Sequence, residues 1–413
     1  MKKLFTSIEI GSDFVKLVVA EMYQNHLDVL ASACIPCEGT HEGKIVNSGL
    51  VLKSVLKAKQ SVEEMIGTKL NKTLLIAPST EVEYKQVKGY TTITNEEKRV
   101  TGNDIIRAMQ ASVYNKIDAK SELVTIIPAR FMLDDEDDIV TDPKGLQTEK
   151  LTVHAVMITV PSKRITPIVS VLEEAGFEVV DIITSGIADF EYFKTPEYSN
   201  EIGVVINLGS QSSVVTYFEK GIPLSSNMIP MGGSHIDKDL SYVFNTSLEE
   251  ASRIKERFAL ASKRLSNIDE VITVINNEKK DLTLNQYEVS EVVMARCEEI
   301  LDLCKNQIKH LTNKQISYII LTGGVTELIG FKQVAGDIFG KGITLGNVKT
   351  MGVRNNRFSS ILGNIIYFNN KLQLRGKHYS MFSEEMQEEI VTVEEYKTGE
   401  GVIKKVFDYF KID

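Results

Sequence analysis

Two short segments carry the residue types best suited to chemistry. Glu9-Ile10-Gly11-Ser12-Asp13 and Asn207-Leu208-Gly209-Ser210-Gln211-Ser212 each place a polar side chain, a glycine and a hydroxyl at what reads as a turn between two strands. In the first, Gly11 permits close backbone approach, Ser12 offers a hydroxyl and Asp13 an adjacent backbone N–H, a set that suits phosphate oxygens. Lys16 adds a positive charge just beyond the turn. The same elements recur in the second segment. One Gly-Ser turn is more often only a turn. Two of them in register, about 195 residues apart, read as an internal repeat and strengthen the polyphosphate reading. A buried strand over 316–321, ending in Thr322-Gly323-Gly324, strengthens it further.

The surrounding pattern supplies elements to hold these turns. Residues 4–21 read as two strands around Gly11-Ser12-Asp13, with Ile8, Ile10, Val15, Leu17 and Val19 as apolar positions. Further strands are predicted over 27–35 and 73–77, with a helix over 48–66 between them at 3.6-residue spacing. Residues 81–159 change texture: a helix over 102–117, strands over 123–128 and 152–160, and an acidic stretch from Asp134 to Asp138 that reads as a solvated loop without EF-hand spacing. A helix over 162–175, a strand over 179–183 and a helix from Ser185 lead into the second strand–turn–strand unit over 203–218. Helices are predicted to dominate 247–268 and 286–311.

Bulk properties narrow the function. A chain of 413 residues makes two to three domains at roughly 150 residues each. Its 43% hydrophobic and 25% charged residues are those of an ordinary globular protein. The net charge of −9 and the lack of a basic stripe argue against a nucleic-acid partner. Lys2-Lys3 is followed by Thr6, Ser7, Glu9 and Asp13 instead of an apolar signal core, and no apolar run approaches the ~18 residues a spanning helix needs. A cytoplasmic chain is expected. Cys34-Ile35-Pro36-Cys37 has redox or zinc spacing but follows a strand, and Cys297 and Cys304 sit seven apart on a helical pattern, so plain reduced thiols are expected. The six His show no ligand spacing.

The C-terminal end reads as a separate unit. Residues 383–400 carry seven glutamates and few large apolar side chains, the composition of a flexible linker. Beyond it Ile403, Val406, Phe407 and Phe410 fall on one helical face, bordered by Val402 and Tyr409, while Lys404, Lys405 and Lys411 lie largely elsewhere. Such a helix lies in a membrane interface, driven mainly by apolar burial. The bland alternative is a helix that packs on its own body.

Taken together, these motifs resemble the actin, Hsp70 and sugar-kinase superfamily, and within it the FtsA family. Ile8-Glu9-Ile10-Gly11-Ser12 is similar to the first phosphate motif, Ile206-Asn207-Leu208-Gly209 to the second, and Tyr318 to Gly324 to the adenosine motif. Ser252 and Lys255, on the helix after Met231-Gly232-Gly233, match positions that face the adenosine. Ser185-Gly186-Ile187-Ala188 and Ser360-Ile361-Leu362-Gly363 resemble the two connecting helices that hinge the halves. Asp142-Pro143-Lys144-Gly145-Leu146 and the following strand resemble the FtsA subdomain. The resemblance implies an α/β actin-like ATPase fold, two RNase H-like halves flanking a nucleotide cleft, with a small α+β insertion in the first half. The divisions implied are 1–80 with 161–196, the insertion 81–160, the second half 197–375, a linker 376–400 and a membrane helix 401–413.

It further implies ATP and Mg2+ as cofactors, self-association into actin-like filaments, and binding of the FtsZ C-terminal peptide within about residues 253–340. It implies a place on the inner face of the cytoplasmic membrane at the division site, with further division proteins as partners. One departure stands out. Asn207 occupies a position where actin-type ATPases carry an acidic residue, so hydrolysis is expected to be slow or absent, with Glu9 alone for the metal-water shell. Two other readings remain: a PilM-like pilus-assembly adaptor of the same fold without a lipid-binding tail, and an active sugar kinase or chaperone ATPase.

Overall fold

The computed structural model describes residues 2–134, 138–387 and 390. The membrane helix expected over 401–413 lies outside the described residues, as do 388–389 and 391–400 of the expected linker and the middle residues of the acidic stretch.

The chain opens with β1 (Lys3–Ile10), β2 (Phe14–Tyr23) and β3 (His26–Pro36), followed by the small hairpin of β4 (Thr40–His41) and β5 (Lys44–Ile45). Helix α1 (Ser48–Ile66) comes next. Its N-cap Asn47 accepts from the Leu50 amide at 3.1 Å, and Gly67 ends it at φ 77°, a left-handed conformation suited to glycine. Val51, Val55, Ala58, Val62 and Ile66 form its buried stripe, the i, i+3, i+4 pattern of a helix lying on a sheet. Then follow β6 (Lys72–Ala77) and an inserted unit of β7 (Glu83–Thr92), α2 (Gly102–Val113), β8 (Ser121–Met132), β9 (Ile139–Val140) and β10 (Lys150–Pro161). Helix α3 (Ser162–Glu174) and β11 (Glu178–Thr184) complete the first half, and α4 (Ser185–Phe193) leads out of it, with Ile187 in the first-half core and Phe190 packed with Val205, Phe218 and Ile320 of the second.

The second half repeats the plan with β12 (Ile202–Leu208), β13 (Ser213–Glu219) and β14 (Ile222–Ile229), then α5 (Gly233–Phe244), α6 (Leu248–Arg257), the hairpin β15 (Val271–Ile275) and β16 (Asp281–Asn285), and α7 (Gln286–Leu311). It closes with β17 (Tyr318–Thr322), α8 (Phe331–Phe339) and β18 (Ile343–Leu345). Helix α9 (Ser359–Leu374) then returns to the first-half sheet, where Ile361, Leu362 and Ile365 pack with Phe5, Val18 and Leu74, so the second half expected to run to 375 ends before this helix. The two five-stranded sheets run β3-β2-β1-β6-β11 and β14-β13-β12-β17-β18. In each, an antiparallel hairpin meets a parallel strand on its far side: β1 pairs β2 and β6, and β12 pairs β13 and β17. The repeat read from the two turns is therefore a repeat of topology. The inserted unit is a separate four-stranded sheet, β7-β10-β8-β9, with its own core around Val87, Ile105, Met109, Phe131 and Val153.

Helices α4 and α9 cross between the halves. The crossing is so close that a Cβ on Gly363 would collide with the carbonyl oxygen of Ala188. Only glycine fits there.

Four local expectations change. The 247–268 helix stops at Arg257, and the chain instead makes a 3-10 turn and the β15–β16 hairpin. The 102–117 helix ends at Val113. Strand β7 went unread because its sequence EYKQVKGYTT buries little beyond Val87 and Gly89, so alternation is weak at this sheet edge. The linker does not begin at 376. The Met381 amide donates to the Leu4 carbonyl at 3.0 Å, and Phe382 and Ile390 are buried in the first-half core. Scattered apolar residues in an acidic stretch suffice to dock a segment when each fills a waiting gap.

Candidate functional site

The two turns face each other across a cavity of about 500 Å³ between the halves. In the β1–β2 turn the Gly11 amide donates to the Phe14 carbonyl at 2.9 Å, and the Thr40 hydroxyl lies 2.9 and 2.8 Å from the carbonyls of Gly11 and Ser12. In the β12–β13 turn the Gly209 amide donates to the Ser212 carbonyl at 3.0 Å. The start of α5 buttresses that turn: amides of Gly233 and Ser234 donate to the carbonyls of Gly209 and Ser210 at 3.0 and 2.8 Å. With their carbonyls so occupied, both turns are fixed before any ligand arrives.

Side chains join the turns directly. Ser210 Oγ donates to Asp13, Gln211 Nε2 donates to Asp13 Oδ1 at 3.2 Å, and the Glu42 amide donates to Gln211 Oε1 at 3.0 Å. Two lysines reach the cavity. Lys16 Nζ sits 2.8 Å from Glu9 Oε2 and 2.7 Å from the Arg357 carbonyl. Lys255 Nζ sits 2.7 Å from Asp237 Oδ1 and 3.2 Å from the Gly233 carbonyl. Burial pushes the Asp237 carboxyl above its usual range, and the Lys255 charge opposes that rise.

At the far end, Gly323 has φ 95°, and a Cβ there would collide with the Leu208 carbonyl oxygen. Gly324 has nothing within 4 Å of its would-be Cβ, which leaves open space for a flat ligand group against the backbone. Ser252 and Lys255, both on α6, line the same cavity.

The structure thus brings Glu9, Gly11, Ser12, Asp13, Lys16, Asn207, Gly209, Ser210, Ser212, Gly233, Ser252, Lys255, Gly323 and Gly324 to the lining of one cavity. Gln211 and Gly232 differ. Gln211 faces a smaller neighbouring pocket with His41 and His235, and Gly232 packs under the β12–β13 turn, where a Cβ would lie 2.5 Å from the Gly209 carbonyl oxygen. Sequence reasoning missed Arg357, which lines the cavity with its guanidinium 5.7 Å from the Phe14 ring centroid, and Asp237, the partner of Lys255. It also missed Asp189, a buried carboxylate beside Asn207. An acid inside the otherwise apolar run Gly186-Ile187-Ala188-Asp189-Phe190 was the available signal.

No group of three or more His, Cys, Asp or Glu among the described residues is arranged to hold a metal directly. The cysteines are unpaired; Cys37, Cys297 and Cys304 are buried, and burial pushes the Cys297 and Cys304 thiols up to about 12. These are inert core residues.

Two topologically matched halves, joined at crossed helices and presenting facing turns to one cleft, define the actin-like ATPase fold. Solved structures agree on the fold. The chain superposes on the PilM-PilN type IV pilus biogenesis complex with a TM-score of 0.60 at 13% identity, covering 88% of this chain and 98% of that one. On MreB5 of Spiroplasma citri bound to ADP the TM-score is 0.54 at 14% identity, covering 91% and 99%. Sequence comparison is more specific. Residues 204–363 match the family model "Cell division protein FtsA", and residues 80–159 match "SHS2 domain inserted in FTSA". The chain is 27% identical to cell division protein FtsA of Bacillus subtilis, covering 94% of this chain and 88% of that protein. It is 23% identical to FtsA of Enterococcus faecalis, covering 98% of each. The chain belongs to the FtsA family of cell-division proteins.

Proposed function

We propose that this protein binds ATP with Mg2+ in the cleft, self-associates into filaments, and tethers FtsZ filaments to the cytoplasmic membrane at the division site. The observation that carries the nucleotide part is the pair of preformed turns facing one cavity, with Lys16 and Lys255 on its walls. Residues 9–16 and 207–212 take the phosphates through backbone amides and hydroxyls. Gly323 and Gly324, with Ser252 and Lys255, take the nucleoside.

A hydrated Mg2+ fits the donors present. Glu9 lines the cleft with its buried Oε2 held by the Lys16 ion pair at 2.8 Å and by no further hydrogen bond, and Asn207 adds a neutral oxygen. The metal would neutralise phosphate charge in a cleft whose two lysines are already paired with carboxylates. With an amide at position 207 the cleft holds a nucleotide better than it activates water, so hydrolysis is slow and binding state is the signal.

The division of labour follows the chain. Residues 1–80 with 161–196 and the second half from residue 197 form the nucleotide-clasping halves, 81–160 is an interaction module for self-association or later division proteins, and 253–340 offers the FtsZ peptide site. The terminal residues 401–413 form the lipid-binding helix, with Val402, Ile403, Val406, Phe407 and Phe410 entering the interface. A single short helix binds weakly, so filament formation multiplies its affinity. Among the described residues no helix is long and apolar enough to cross a membrane. The direct test of the nucleotide part is calorimetric titration of the full chain with ATP, with and without Mg2+. Saturable binding that Mg2+ strengthens is expected, and no heat at high protein concentration would overturn it.

A further inference from the structure

Asn207 ends at the cleft, but one side of its amide is already committed. Nδ2 donates to Asp189 Oδ2 at 2.6 Å and to Ser360 Oγ at 3.2 Å. An ionised carboxylate only accepts, so the nitrogen must be the end turned toward Asp189. The carbonyl Oδ1 is left on the other side, where a Cβ on Gly323 would lie 2.7 Å from it.

Asp189 is fully buried in α4. Its other oxygen accepts from Ser359 at 2.6 Å and from Ser360 at 2.9 Å, both at the start of α9. Ser359 Oγ lies 2.9 Å from the hydroxyl of Thr322, the last residue of β17 before Gly323-Gly324. With the Ser359 hydroxyl donating to Asp189, Thr322 is left to donate to Ser359. One carboxylate therefore links both hinge helices, the second phosphate turn and the turn that faces the nucleoside.

We propose that Asp189 is a positioning residue of the nucleotide site, which locks the Asn207 amide with Oδ1 toward the cleft so that this oxygen accepts from a water of the nucleotide-bound Mg2+. The inference rests on reading the cleft as an Mg-nucleotide site. Its chemical content is orientation. An unrestrained amide presents either end, and its NH2 end cannot accept from metal-bound water. The acid absent at position 207 is thus present one contact away, facing the hinge, and it acts through its neighbour. Because Ser359 and Ser360 share it, rotation of α9 against α4 disturbs Asn207 directly, which couples hinge angle to cation binding.

The test is titration of ATP into the full chain as wild type, D189N and the exchange D189N/N207D, each in Mg2+ and in EDTA. D189N is nearly isosteric but no longer dictates which end of Asn207 faces it. We expect it to lose about tenfold of the affinity that Mg2+ adds, with EDTA affinity within about twofold of wild type. The exchange restores the Mg2+ increment, because the carboxylate moved to position 207 accepts from the amide moved to position 189 and keeps an acceptor toward the cleft. An undiminished Mg2+ increment in D189N overturns the assignment. So do equal losses in both solutions, which would make Asp189 a packing residue only. Wild-type chain that binds no nucleotide in either solution instead overturns the reading of the cleft, and this inference with it.

Discussion

Gln211 donates to Asp13 at 3.2 Å, and that contact joins the second half of the molecule to the first between the two turns. Ser210 converges on the same carboxylate. The Asp13 side chain is thus a brace between the turns, whereas its backbone is the part suited to phosphate. Replacing Asp13 by Ala removes the brace and one negative charge near the phosphates. ATP affinity is expected to rise severalfold, the scale of one modest electrostatic contact. A fluorescent nucleotide displaced by ATP measures it, and weaker binding would show that the carboxylate itself holds the ligand.

Lys16 should behave in the opposite way. It sits between Glu9 and the Arg357 carbonyl on the lining of the cavity, where its charge would face the phosphates of the proposed nucleotide. Lys16→Met leaves Glu9 without its cation. Binding of ATP is expected to fall by at least about tenfold, since a charge-assisted contact is lost and a like charge exposed. Equilibrium titration checks this, and unchanged affinity would place the phosphates elsewhere.

Burial pushes the Asp189 carboxyl from 3.8 up to about 6, against the hydrogen bonds from Ser359, Asn207 and Ser360, with Glu9 adding to the rise. Its folded value is above its unfolded value, so the folded state holds more protons between those two pH values. The stabilisation from this group is full below about pH 4 and is lost as pH rises through about 6, up to roughly 3 kcal/mol by linkage. D189N is neutral throughout and lacks this dependence. Its stability relative to wild type should therefore climb from pH 4 to pH 7 in denaturant titrations. A flat difference would mean that the carboxylate is not desolvated as the structure has it.

The α4–α9 crossing makes a stability prediction. Gly363→Ala drives a methyl into the Ala188 carbonyl oxygen, so the hinge helices must separate. A loss of about 1–3 kcal/mol is expected, as for overpacking elsewhere, together with weaker nucleotide binding. Thermal unfolding reads the first and titration the second. A neutral result in both would mean that the helices slide freely.

Turnover is predicted to be slow. With Asn207 unable to take a proton, steady-state hydrolysis by purified wild-type chain with Mg2+ should lie well below the ~1 s⁻¹ lower end of ordinary enzymes. A phosphate-release assay at ordinary enzyme rates would reverse the reading of Asn207.

Much of this site was legible in the sequence because turns and strand ends write themselves locally. Gly11-Ser12 and Gly209-Ser210 are flanked by apolar alternation, and Gly323-Gly324 follows the buried strand β17. Local pattern is what a sequence carries best. The partners were not legible. Asp189 and Asn207 are 18 positions apart, Lys255 and Asp237 likewise, and Lys16 and Arg357 are 341 apart. Only the closure of the fold brings them together. The segment after Arg375 was misread for a related reason: Met381 and Phe382 dock against the strand that opens the chain, a contact that composition cannot show.

The central claim is that nucleotide state and membrane attachment belong to one protein. The most direct measurement is co-sedimentation with liposomes of the full chain and of a version ending at Glu400, with and without Mg-ATP. Pelleting of the full chain alone, strengthened by Mg-ATP, is the predicted result. If both versions stay in the supernatant with nucleotide present, the terminal residues are not a membrane helix and the tether account is wrong.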